Sequence, residues 1–262
     1  LGKNRNGSNY IEKQSKKRNG RIIMERIYTI PVNEKFEESA KDASNGCPFC
    51  ALFRMLEENE LEIILGASMM DPDIRIKTNE VGFCPVHYDM MYARGNHLGL
   101  ALMLESHFAE QRRALEVSGL SAIIKNPSDK AVDSLTKLER SCYVCGKINY
   151  HFKRMVETAA LLYDTEEQFR EKAAAQPYFC LPHYRDFLVE AKRRMNKKNF
   201  AQFYKVISAL ELDYYDTISA DVSWYCKKFD YRYGDEPWYN SKDAVPRAIK
   251  FLSGDIHRIN KK

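Results

Sequence analysis

The chain has 262 residues, 44% of them hydrophobic, with only 12 Gly and 9 Pro. That length and composition suit one large domain or two of about 100–150 residues and exclude collagen-like and disordered chains. The net charge of +5 is local: residues 1–23 hold seven basic groups against Glu12 and contribute +6, leaving the rest at −1, so the body lacks the overall electrostatic footprint of a nucleic-acid binder.

Residues 1–23 read as a disordered basic leader. The chain starts with Leu, shows no hydrophobic periodicity before Ile22, and looks as if it begins naturally at Met24; the leader need not be native. The other reading is a basic arm for acidic partners. No signal-peptide pattern is present and the longest apolar runs, such as residues 98–104, fall short of the roughly 18 residues of a membrane span. The expected location is therefore the cytoplasm, where seven cysteines serve as reduced thiols, metal ligands or redox groups.

Arg26 to Pro31 alternates and is the one convincing strand signal. Cys47 and Cys50 form a CxxC. Glu57 and Glu58 follow in a charge-rich helical stretch and read as a solvated face. Asp71, Pro72 and Asp73 break the chain, and Cys84-Pro-Val-His87 follows Cys50 with 33 residues between them. A polar break at Arg94, Gly95 and Asn96 precedes a helix with Leu98, Leu102, Glu105, Phe108, Arg112 and Leu115 on one face.

The second half repeats this order. Cys142 and Cys145 form a CxxC, and Asp164, Thr165, Glu166 and Glu167 supply the break and a capping box. Cys180 and His183 form the CxxH, with 34 residues between Cys145 and Cys180, and Asn196, Lys197 and Lys198 break the chain again. From Phe200, apolar residues at Phe203, Ile207, Leu210, Tyr214, Ile218, Val222, Tyr225 and Phe229 predict one long helix. Asp243 to Ser253, with Pro246 near its start and Gly254 behind it, reads as a short final helix. Corresponding ligand positions stand 95 or 96 residues apart, which marks a duplication. The expected fold is mainly α, with duplicated helical units, each clasped by a Cys3His zinc site. The first repeat spans 24–133, the second 134–232, and an extension with a short helix covers 233–262.

The expected metal ligands are Cys47, Cys50, Cys84 and His87, and Cys142, Cys145, Cys180 and His183. Four thiolate and imidazole donors close a tetrahedron around Zn2+, and a two-residue gap lets one turn aim both side chains at one point. Two zinc ions per chain are expected, ahead of an iron–sulfur cluster. Pairing within each repeat is the simplest arrangement, and a crosswise pairing stays open. Either leaves no coordination position for water, which argues against hydrolysis at the metal. Cys226 reads as a core thiol, and His97, His107, His151 and His257 as ordinary surface or packing residues.

No P-loop, dinucleotide glycine motif or nucleophile elbow appears, and no catalytic residue is assigned. The expected role is a zinc-stabilised module that binds a protein partner or scaffolds one. Two alternatives stay open. Cys47-Pro-Phe-Cys50 resembles a thiol–disulfide motif, fitting a redox-responsive zinc sensor or thiol oxidoreductase. The aromatic and basic residues from Trp224 to Tyr233 fit nucleic-acid stacking, although a packed aromatic face with solvated lysines explains them as well.

The set of Cys47-Pro-Phe-Cys50, Gly82-Phe-Cys-Pro-Val-His-Tyr88, Cys142-Tyr-Val-Cys145 and Phe179-Cys-Leu-Pro-His-Tyr184 resembles a family of uncharacterised bacterial proteins known only as a domain of unknown function. The likeness covers Met24 to about Gly254, including Glu236, Pro237 and Trp238. It implies a bacterial cytoplasmic protein and supplies no activity and no catalytic residues.

Overall fold

The computed structural model describes residues 27–116 and 126–257; the basic leader lies outside them. Among the described residues there is no strand, and no helix is long and apolar enough to cross a membrane. The strand expected at Arg26 to Pro31 is corrected, because residues 27–41 are helical (α1). Tyr28, Val32, Phe36 and Ser39 are buried while Ile27 and Ile30 face solvent. That helical spacing, sustained across the segment, outweighs a six-residue alternation.

The helices that follow are α2 (Pro48–Leu65), α3 (Pro72–Val81), α4 (Pro85–Ala93), α5 (His97–Leu115), α6 (Pro127–Glu139), α7 (Tyr143–Thr165), α8 (Glu167–Ala174), α9 (Leu181–Arg194), α10 (Lys197–Lys227) and α11 (Ala244–Ser253). Proline sits in the first turn of α3, α4, α6 and α9, where its missing N–H leaves no hydrogen bond unmade. Asp71 caps α3, Asn96 caps α5, Asn126 caps α6 and Asn196 caps α10 through side-chain oxygens. The capping box expected at residues 164–167 does not form. Thr165 is the last residue of α7 and its hydroxyl donates back to Leu161 O at 2.9 Å, leaving Glu166 as an N-cap without a side-chain bond.

The long α10 buries Phe203, Ile207 and Ile218 as its period requires. It ends at Lys227, so Phe229 lies beyond it and is 73% exposed. Cys226 is also exposed, which corrects its reading as a core thiol: the final turn of α10 leaves that side to solvent. On α5 the buried stripe is Gly99, Leu100 and Met103, not the face of Leu98 and Phe108, which are 74% and 69% exposed. Met103 with Leu100 offers a narrower stripe than the one counted from leucines, and the helix docks on it.

The described residues pack as two compact units, 27–52 with 153–255, and 53–116 and 126–152 with 256–257. They interleave the two sequence repeats, because the unit boundaries fall inside α2 and α7. In the first unit α1 therefore joins α8, α9, α10 and α11; in the second, α6 joins α3, α4 and α5.

The core of the first unit is a phenylalanine cluster. Phe36 meets Phe49 edge-on at 5.3 Å and Phe169 at 4.8 Å, and Phe187 meets Phe49 at 5.2 Å and Phe203 at 4.9 Å. Arg154, Arg193 and Arg194 converge on the buried carboxylate of Glu157, tying α7 to α9. The second unit has an aliphatic core of Leu61, Ile64, Met91, Leu100, Met103, Val144 and Ile148. Arg75 ties α3 to α5 by donating to Leu102 O at 2.8 Å and Ser106 Oγ at 2.7 Å.

Candidate metal centres

Each unit brings four of the expected ligands together, and their pairing is crosswise. Cys47 and Cys50 meet Cys180 and His183, while Cys84 and His87 meet Cys142 and Cys145, with the candidate ligand atoms of each set within 4.8 Å of one another. The within-repeat pairing that looked simpler is thus corrected. The two helices between CxxC and CxxH are unequal: α2 has 18 residues and is about 27 Å long, whereas the ten residues of α3 cover only about 15 Å.

The first centre is fully buried. Cys180 Sγ lies 3.1 Å and Cys50 Sγ 3.4 Å from His183 Nδ1, Cys47 Sγ lies 3.8 Å from the same nitrogen, and Cys50 and Cys180 sulfurs are 3.5 Å apart. Phe49, between the two cysteines, anchors the loop in the phenylalanine cluster at 5.7 Å from Phe179. Glu211 of α10 accepts the N–H of Phe179 at 3.1 Å and so fixes the chain just ahead of Cys180.

The segment after α11 lies against these sulfurs. Asp255 N–H donates to Cys50 Sγ at 3.2 Å. Gly254 has φ +88, and a Cβ there would stand 3.6 Å from Cys180 Sγ and 3.8 Å from Cys50 Sγ. The left-handed backbone that ends α11 is what turns the chain onto the centre.

At the second centre His87 is buried and Cys84, Cys142 and Cys145 are half-buried. His87 Nδ1 lies 3.1 Å from Cys84 Sγ, 3.3 Å from Cys142 Sγ and 3.4 Å from Cys145 Sγ, and the Cys84 and Cys145 sulfurs are 3.8 Å apart. One backbone and one side-chain bond hold the two loops in register: Tyr143 N–H donates to Gly82 O at 3.0 Å and the Ser141 hydroxyl to Val81 O at 2.8 Å. Gly82 has φ +59, and a Cβ on it would fall 2.9 Å from the His107 ring.

Behind His87 stand two residues that the sequence reading missed. His87 Nε2 is 3.1 Å from Glu57 Oε1, and the same oxygen is 2.5 Å from His257 Nδ1. Glu57, read as part of a solvated face, is 1% exposed; its neighbour Glu58 is the exposed one and pairs with Arg94. Two turns after Cys50, Glu57 shares its helix face, which is a signal the sequence did carry. His257 follows no motif at all; its backbone is left-handed, with φ 59. His97, His107 and His151 stay outside both ligand sets, and His107 instead bonds Asn79 O at 2.8 Å.

Within the second set the ionisable groups shift one another strongly. Burial opposes ionisation of Glu57, but hydrogen bonds from His257 and His87 outweigh it and hold the carboxyl at about 2. Burial likewise opposes the His87 imidazolium, yet its bonds to Cys142 and Glu57 raise it to about 10. Hydrogen bonds from Cys145 pull Cys142 down to about 3, and the same contact pushes Cys145 up. Thiols crowded this way compete for one negative charge, and a metal ion shared by all four donors removes the conflict.

The aromatic and basic stretch near Trp224 is engaged in local structure. Lys228 Nζ donates to Tyr233 O at 2.7 Å, to Gly234 O at 2.8 Å and to Glu236 O, Trp224 Nε1 donates to Pro237 O at 2.9 Å, and Arg232 pairs with Asp230. These bonds close the loop after α10.

The two ligand sets and the helices that carry them fall within residues 23–259, the span matched by a family model described as a family of unknown function, DUF6062. No curated protein and no solved structure matches the chain. With nearly its whole length covered, the chain belongs to that family of unknown function.

Proposed function

We propose that the chain is a zinc protein, with one Zn2+ in each Cys3His set, and that both ions serve to close a helical partner-binding or scaffolding module. The observation that carries this is the donor geometry. Zn–S and Zn–N bonds of about 2.3 and about 2.0 Å imply tetrahedral edges of about 3.8 Å between sulfurs and about 3.6 Å between sulfur and nitrogen. The separations are 3.5 and 3.8 Å between sulfurs and 3.1–3.8 Å between sulfur and nitrogen. Three cysteines and one histidine suit zinc's preference for closed structural sites, and four protein donors leave no position for a water nucleophile. The partner-binding part of the reading is supported by α11, where Val245, Ile249 and Leu252 recur at helical spacing and stay exposed.

Elemental analysis of protein purified without added metal should return two zinc per chain. Removing them with a strong chelator should lower helical circular dichroism and the melting temperature, because site closure supplies on the order of 10 kcal/mol to such folds. Iron in place of zinc, or unchanged melting after verified metal removal, contradicts the reading.

A further inference from the structure

The two centres have the same donors but unequal cover. At the first, Cys47, Cys50 and Cys180 are 2%, 1% and 0% exposed, and Gly254 and Asp255 pack over the sulfurs with an N–H aimed at Cys50. At the second, all three cysteines are half-buried. Reactivity of a thiolate toward a small oxidant follows its access and its nucleophilicity. A covering backbone reduces access; Cys142 Sγ of the second centre also accepts an N–H, from Cys145 at 3.5 Å, so cover rather than hydrogen bonding sets the two centres apart.

We propose that Cys84, Cys142 and Cys145 form an oxidant-responsive centre, whereas Cys47, Cys50, Cys180 and His183 form a permanent one. The inference rests on the zinc reading above. The oxidant is a hydroperoxide, with hydrogen peroxide as the simplest case. One thiolate attacks a peroxide oxygen, breaking the O–O bond, becoming a sulfenic acid and releasing hydroxide. A second thiolate of the set then displaces the sulfenic hydroxyl, forming the S–S bond and releasing a second hydroxide. Two thiolates have together lost two electrons and the peroxide has gained them. The Cys84 and Cys145 sulfurs, 3.8 Å apart, need only close to the roughly 2.05 Å of a disulfide.

The consequence is confined by the crosswise pairing. Oxidation leaves His87 and one cysteine, too few donors to keep zinc. The Cys84–Cys145 disulfide keeps the start of α4 joined to α7 but releases His87 and Cys142 from their shared ion. The ligands of the first unit keep theirs, so the effect of peroxide falls on the second unit and spares the phenylalanine core.

The test uses the full chain carrying Cys226→Ser, which removes the exposed thiol on α10 from the reaction. Zinc content is measured first, peroxide is added in steps, released zinc is followed with a chromogenic chelator, and disulfides are mapped by peptide mass after alkylation. The expected result is loss of one of two zinc ions with a disulfide among Cys84, Cys142 and Cys145, while Cys47, Cys50 and Cys180 stay reduced. Loss of both ions together, earlier oxidation of the Cys47 set, or retention of both ions under excess peroxide overturns the proposal. A chain that holds no zinc before peroxide is added fails the zinc reading instead, and that failure is visible at the first measurement.

Discussion

At the scale of single residues, Glu57 gives the second centre a feature that the duplication does not explain. It stands seven residues after Cys50, and the corresponding position after Cys145 is Phe152. A carboxylate that accepts from a ligand's second ring nitrogen fixes the tautomer and orientation of the imidazole and raises its basicity as a donor. Glu57→Ala is expected to weaken zinc binding at the second centre by about 10–100-fold. The first centre should be unchanged in a competition titration with a chromogenic chelator, and an equal loss at both centres would contradict the assignment.

Glu211 makes a separate, pH-dependent contribution in the first unit. Burial raises its carboxyl to about 7, against about 4.3 in an unfolded chain. Between those values the folded state keeps a proton that the unfolded state has released, so this group's contribution to stability falls as pH rises through that window, by up to about 4 kcal/mol. Only Oε2 is bonded, to Phe179 N–H, while Oε1 has no hydrogen-bond partner, a state better suited to a neutral group. Glu211→Gln should therefore gain melting temperature relative to the parent as pH moves from 5 to 8. A difference that is flat with pH would remove the argument.

Helices show what the sequence could and could not state. The eight candidate ligands were legible as a pattern because their spacing recurs at a fixed offset, and α10 and α11 were legible because period, proline and glycine agreed. The α1 segment was misread since Ile27 and Ile30 alternate with polar neighbours over too short a window, while the burying positions Tyr28, Val32 and Phe36 repeat every four residues. The α5 face was misassigned because leucines were counted and Gly99, which lets the helix dock closely, was not. Asn96 joins the two kinds of information. It caps α5 through Gly99 N–H at 3.0 Å and its amide donates to Leu65 O at 2.9 Å, tying the end of α2 to the start of α5. Asn96→Ala should cost about 1–2 kcal/mol in urea denaturation, more than loss of a cap alone. A cost below about 0.5 kcal/mol would show that neither bond matters.

For the whole molecule, the crosswise grouping of the candidate ligands was invisible in the motifs. CxxC and CxxH patterns specify donors and local turns but carry no information about which partner they meet; long-range packing decides it, placing Cys47 and Cys50 with Cys180 and His183, and Cys84 and His87 with Cys142 and Cys145. Each centre therefore joins segments more than fifty residues apart in sequence, Cys50 with Cys180 and Cys84 with Cys145, and metal binding at each should act on the folding of a unit assembled from both repeats. The most direct measurement is proton–cadmium correlation NMR on the full chain after exchange with 113Cd. One cadmium resonance should couple to side-chain protons of Cys47, Cys50, Cys180 and His183, and the other to those of Cys84, His87, Cys142 and Cys145. A resonance coupled to Cys47, Cys50, Cys84 and His87 together would contradict the crosswise pairing.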